Sequence, residues 1–250
     1  MKNIIKLSIR RWGLLKRTDI KEFYGFTLAE VLITLVIIGV IAAMTIPTLI
    51  NKTDKQEFVS RFKKNYASFS QALNLAQAQN GLLTGWDWGT EQKGFDNIEN
   101  YILPHLQVAE NCKNTTSCSP EYEFRRKNNA SWINYKTNTK HYKFVLNDGT
   151  VFALSVVASC VENNSRCIDV HFDVNGSKGP NKWGLDIFTL EVFPYTNDIM
   201  PRGFRNNTSY NAATGTWPEI AKSQIDSKCM TGDGSYCGAK ILLEGYKVNY

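Results

Sequence analysis

Between residues 26 and 50 the chain carries one charged side chain, Glu30. An apolar helix needs about 20 residues to cross roughly 30 Å of hydrocarbon, so this run is long enough to span a bilayer. The pattern then changes. Pro47 removes a backbone donor and predicts a kink. After it, Phe58, Phe62, Tyr66, Phe69, Leu73 and Ala76 recur every three or four positions and form one stripe. Lys52, Lys55, Arg61, Lys63 and Lys64 fall largely off that stripe. Asn80-Gly81 is a helix stop signal. The pattern predicts one long helix over 26–80, membrane-spanning over 26–50 and amphipathic beyond, about 80 Å long at 1.5 Å per residue. Its second half needs a cover.

The cover is expected from residues 81–250, read as one globular domain. A short helix is predicted over 95–103, closed by Pro104. Residues 142–146 and 151–157 flank Asn147-Asp148-Gly149, a hairpin signal. Ile168, Val170, Phe172 and Val174 alternate with Asp169, His171 and Asp173, the signature of a half-buried strand with a polar, solvated face. Residues 185–193 add a fourth strand. The tail, 194–250, is rich in Gly, Asn and Thr, with one short helix expected over 236–244 before Gly245. The fold class is therefore α+β: a long N-terminal helix packed on a three- to four-stranded antiparallel sheet.

Charge refines this picture. The formal net charge is +6, but residues 1–25 hold seven Lys/Arg against Asp19 and Glu22, a net +5 that leaves the rest at +1. The high charge thus marks a basic flank held in the cytoplasm by the positive-inside rule, with the C-terminal domain on the other side. All six cysteines, Cys112, Cys118, Cys160, Cys167, Cys229 and Cys237, lie in that domain. They form three close pairs, which favours local disulfides, although six cysteines permit 15 connectivities. We expect Cys112 with Cys118, Cys160 with Cys167, and Cys229 with Cys237.

Gly25-Phe26-Thr27-Leu28-Ala29-Glu30, with a basic leader before it and an apolar helix after it, resembles the type III signal of type IV prepilins and type II secretion pseudopilins. Gly39 and Pro47 fall where that family commonly has a helix glycine and a proline. The resemblance implies a leader, 1–25, cut after Gly25 by a prepilin peptidase, and methylation of the new Phe26 amine. It implies that Glu30 serves assembly as counter-ion to that amine, since an isolated charge in hydrocarbon is costly. The implied partners are the prepilin peptidase, other pilin or pseudopilin subunits in a helical filament, an inner-membrane assembly platform and lipid. The implied location is the cytoplasmic membrane, single-pass, with the domain periplasmic or extracellular. Alternatives are a competence-type pilin aiding DNA uptake and a membrane-anchored extracytoplasmic binding protein.

Candidate chemistry elsewhere is sparse. His105, His141 and His171 have no nucleophile motif around them, and neither a phosphate-binding loop nor HExxH occurs, so no enzyme is expected. Arg125-Arg126-Lys127 and Arg202 with Arg205 are the only basic clusters suited to nucleic acid, and no nucleic-acid partner is expected. No cofactor is required by this reading. One loop does carry hard oxygen donors: Asp173, Asn175, Asn181 and Asp186, with Gly176, Gly179 and Gly184 for tight turns. Its Gly-Pro-Asn-x-x-Gly-x-Asp segment is similar to the loop in which major pseudopilins hold Ca²⁺. It is not an EF-hand, because Lys178 sits among the donors and no glutamate closes it. The other reading of these Asn and Asp residues is Asx turns.

Overall fold

The computed structural model describes residues 25–116, 123–206, 210–211 and 213–247. The chain divides into two compact units, one ending at Thr48 and one beginning at Leu49. Helix α1 (Leu28–Asn80) starts in the first and ends in the second, and Pro47 lies inside it.

In the first unit, Leu28–Pro47 is apolar and long enough to cross a membrane. Leu35, Val36, Ile38 and Ile41 are all exposed. Such a surface suits lipid rather than water.

In the second unit, the aromatic stripe of α1 is the centre of the core. Phe62 and Phe69 are fully buried, and Tyr66 and Phe58 pack against the same cluster. The Phe62 ring lies 4.8 Å from Phe188 and 6.0 Å from Phe172, and Phe69 lies 5.9 Å from Phe152. Burying each such ring is worth about 1.5–3 kcal/mol.

These partners come from an antiparallel sheet of β1 (Val108–Lys113), β4 (Tyr142–Leu146), β5 (Val151–Val156), β6 (Ile168–Asp173), β7 (Ile187–Phe193) and β8 (Asp198–Pro201), in that spatial order. The sheet therefore has six strands, not the three or four expected. The central four match the alternating apolar segments. The two additions are edges: β1 reads Val-Ala-Glu-Asn-Cys-Lys and is bulged against β4, and β8 is four residues ending in proline. Neither carries an apolar period of two, and proline is tolerated at an edge because no ladder bond is lost there.

The expectation of a solvated outer face fails as well. Every residue of β6 is buried, including Asp169, His171 and Asp173. A second layer covers that face: the hairpin of β2 (Glu123–Arg125) and β3 (Ser131–Asn134), with Phe124, Ile133, Tyr135 and Trp183 packed on Val151, Ala153 and Ile187. Two sets of buried polar groups are paired within it. Arg166 forks onto Asp169 and reaches Glu191, which directly opposes Asp169 across β6 and β7. Lys143 donates to the carbonyls of Thr115, Tyr135 and Lys136. Burial lowers its ammonium pKa.

The remaining elements are α2 (Glu91–Asn97), capped by the Thr90 hydroxyl, then α3 (Lys222–Met230) and α4 (Cys237–Leu243). The segment predicted as one helix over 95–103 instead runs from α2 through a π turn, Ile98–Ile102. Trp86 and Trp88 stack on each other and donate to the carbonyls of Gly81 and Leu83, so both serve packing.

Candidate functional site

Residues 25–30 form the first site. Thr27 precedes the first turn of α1, and Val31 N–H donates to its carbonyl. The Glu30 carboxylate accepts from Thr27 N–H and from its hydroxyl, both at 2.8 Å, while Glu30 N–H donates to the Thr27 hydroxyl at 3.2 Å. This reciprocal arrangement is a capping box, spelled Thr-x-x-Glu. Gly25 is exposed, and a Cβ built on it would meet nothing within 4 Å. Phe26 is 88% exposed. The Gly25–Phe26 junction is open, one residue ahead of a capped helix. The role of Thr27 was absent from the sequence reading, although the Thr-x-x-Glu spacing carried it.

The second site is the 173–186 loop. Asp186 is fully buried, and its two oxygens accept from the backbone N–H groups of Asn181 and Lys182, both at 2.8 Å. Asp173, at the end of β6, is equally buried and accepts from Asn175 N–H at 3.1 Å. Burial pushes both carboxyls above the usual carboxylate range, and for Asp173 the charge of Asp186 adds to the effect. The Asn175 amide donates to Gly179 carbonyl at 2.9 Å and also reaches Asp186. Asp173 Oδ2 and Asn175 Oδ1 are buried without a hydrogen-bond partner. Asn181 differs: its Oδ1 is taken by the N–H of Gly179, two residues before it, whereas Asp173 accepts from the N–H two residues after it, as in an Asx turn. The loop thus gathers Asp173, Asn175 and Asp186. No group of three His, Cys, Asp or Glu side chains fit to hold a metal occurs among the described residues.

The other candidates are engaged internally. Lys127 donates to Cys229 carbonyl, Arg202 approaches Glu191, and Arg205 pairs with Asp198. Arg125 pairs with Glu123. His171 is buried, shares a hydrogen bond with the Thr189 hydroxyl and meets Trp132 edge-on at 4.4 Å. His141 shares one with Asn138 Oδ1. Burial drives the His171 pKa well down and that of His141 to about 4. Both rings read as packed core, not as bases serving a substrate.

Cys160 is joined to Cys167 and Cys229 to Cys237. Cys112 is also disulfide-bonded, and its expected partner, Cys118, lies outside the described residues.

Two family models match the chain. The prokaryotic N-terminal methylation motif covers residues 21–46, the type IV pilin and pseudopilin signal, and a family of unknown function, DUF6613, covers residues 48–250. No curated protein and no solved structure matches. A chain with the methylation motif at its head and this domain over the rest of its length belongs to the family of unknown function DUF6613.

Proposed function

We propose that the chain is a structural subunit of a type II secretion pseudopilus or a type IV pilus-like filament. The observation that carries the reading is the 25–30 junction. An exposed Gly–Phe bond stands before a capped helix whose first 20 residues, Leu28–Pro47, are apolar apart from a single charge, Glu30. Residues 1–25 are the leader, removed by a prepilin peptidase. Residues 26–80 are the membrane-and-assembly helix, and 81–250 the domain displayed outside the cytoplasm. Cutting creates an amine on Phe26, close in sequence to the Glu30 carboxylate. In lipid two lone charges are expensive, so subunits gain by bringing amine and carboxylate together at a fixed stagger. The engagement of Lys127, Arg202 and Arg205 inside the domain weighs against a DNA-uptake role. Intact mass of the membrane-extracted chain tests the reading: a mature chain starting at methylated Phe26 supports it, and an uncut chain overturns it.

We further propose that the 173–186 loop holds Ca²⁺ through Asp173, Asn175 and Asp186. Two buried oxygens without partners, Asp173 Oδ2 and Asn175 Oδ1, beside the fully buried Asp186 carboxylate, are the donor set a hard cation would satisfy. Bound calcium would supply charge compensation and stabilise the folded domain by linkage.

A further inference from the structure

The turn that presents Asp186 is braced from outside by a disulfide. Gly184, two residues before Asp186, adopts φ +78°, and a Cβ on it would lie 2.5 Å from Cys237 Sγ and 3.1 Å from Gly234 carbonyl. Gly234, at φ +86°, makes the reciprocal approach: its Cβ would fall 2.4 Å from Trp183 carbonyl. Both positions need glycine, because both combine a left-handed backbone with no room for a side chain. The loop closed by Cys229 and Cys237 therefore lies flat on Trp183-Gly184. The two cysteines are fully buried.

Two segments, the disulfide loop and the β2–β3 hairpin, close around the turn. Lys127 N–H donates to Asp233 carbonyl at 2.8 Å, and Lys127 Nζ to Cys229 carbonyl at 2.8 Å, which ties the disulfide loop to the β2–β3 hairpin. The hairpin grips the turn in register: Arg125 N–H donates to Asn181 carbonyl, and Trp183 N–H to Arg125 carbonyl. Within that turn lie the Asn181 and Lys182 amides that hold the Asp186 carboxylate.

We propose that the Cys229–Cys237 disulfide is a redox-controlled brace for the cation loop, so that the cation site is assembled only in the oxidised chain. This rests on the reading of the loop as a calcium site. Before oxidation the 229–237 segment is an open chain with no fixed surface for Gly184, and the turn carrying Asp186 is free to open. Oxidation removes two protons and two electrons from the two thiols, and a disulfide-bearing oxidant receives them. One thiolate attacks the oxidant's sulfur and expels a thiol; the second resolves the mixed disulfide and releases the other thiol. A chain still facing the reducing cytoplasm would hold the loop slack. Cation binding would then report that the C-terminal segment has been exported and oxidised. Cys229 and Cys237 are joined to each other and are not themselves donors of the site. They act as positioning residues, comparable to outer-shell partners of a metal.

The test compares the full chain in detergent micelles with Cys229→Ala/Cys237→Ala, with Gly184→Ala and with the control Cys160→Ala/Cys167→Ala. Two quantities are read: calcium affinity by titration, and hydrogen exchange at the Asn181 and Lys182 amides in EDTA. Cys229→Ala/Cys237→Ala is expected to exchange faster at both amides and to bind calcium about tenfold more weakly or worse, the scale of outer-shell losses. Gly184→Ala, which keeps the disulfide but drives the turn off Sγ, is expected to do the same. The control is expected to match wild type on both. A folded Cys229→Ala/Cys237→Ala with wild-type exchange and affinity overturns the brace. Should that variant fail to fold, wild-type values for Gly184→Ala overturn it. No calcium binding by oxidised wild type overturns the site reading itself, whatever the exchange shows.

Discussion

Glu30 and Thr27 satisfy each other. One carboxylate oxygen takes both the N–H and the hydroxyl of Thr27, and the hydroxyl takes Glu30 N–H. The charge that the proposed assembly needs is thus already held at the end of the helix, beside the bond proposed to be cut. Replacing Thr27 by Val removes the hydroxyl and is expected to cost about 1 kcal/mol of local helix stability. Glu30→Leu is expected to insert and fold but to enter filaments poorly. Filament yield against membrane-extracted subunit measures this; normal assembly of Glu30→Leu with a free Phe26 amine would refute the ion-pair account.

Processing depends on the size of residue 25. Gly25→Val puts a branched side chain at the junction, and the precursor is expected to accumulate uncut. Mass spectrometry of the extracted chain distinguishes precursor from product. Efficient cutting of Gly25→Val would show that the peptidase does not read this position.

The stripe on α1 is a core feature of the second unit. Phe62→Ala empties a fully buried site between Phe172 and Phe188 and is expected to cost about 3–5 kcal/mol, read from chemical denaturation. Leu75→Ala, at a site 42% exposed on the same helix, is expected to change stability by well under that amount.

Acid acts through the buried histidines His141 and His171, whose pKa values burial lowers. For His141 the folded pKa lies near 4, below the ordinary 6.5, because burial disfavours the imidazolium. The unfolded chain therefore binds the proton first as pH falls. Stability from this group is present above about pH 6.5 and is lost between there and pH 4. His141→Phe is expected to flatten that part of the pH profile in urea denaturation; an unaltered slope would mean that another group carries it.

For the cation loop, EDTA is expected to lower the melting temperature and calcium to restore it, with Asp186→Asn blunting the response. A melting temperature indifferent to both, in wild type and variant, leaves the loop as a set of Asx turns.

What sequence pattern could and could not reveal follows from what each residue contacts. The α1 stripe and the four central strands were legible because each buries one face against something large, and periodicity records that. β1 and β8 were not, since edge strands bury little and carry no pattern. Asp169, His171 and Asp173 misled because alternation shows that two faces differ, not that one is wet. Here the second face is covered by a hairpin whose short strands sit among Asn, Lys and Arg. In the candidate site, residue types and spacing were visible at 173–186. The contact of Gly184 with Cys237 was not, because it joins positions far apart in sequence.

The stripe on α1 also sets an order of events. Arg61 donates to the carbonyl of Val174, 113 positions downstream, and Phe62 waits for Phe172 and Phe188. A growing chain that has not yet reached β6 would present an aromatic ridge long before its cover is made. Closing so long a loop is slow, and the ridge stays open to wrong partners meanwhile. A truncation ending before β6 keeps that ridge uncovered and is expected to aggregate, read by sedimentation of the extracted chain.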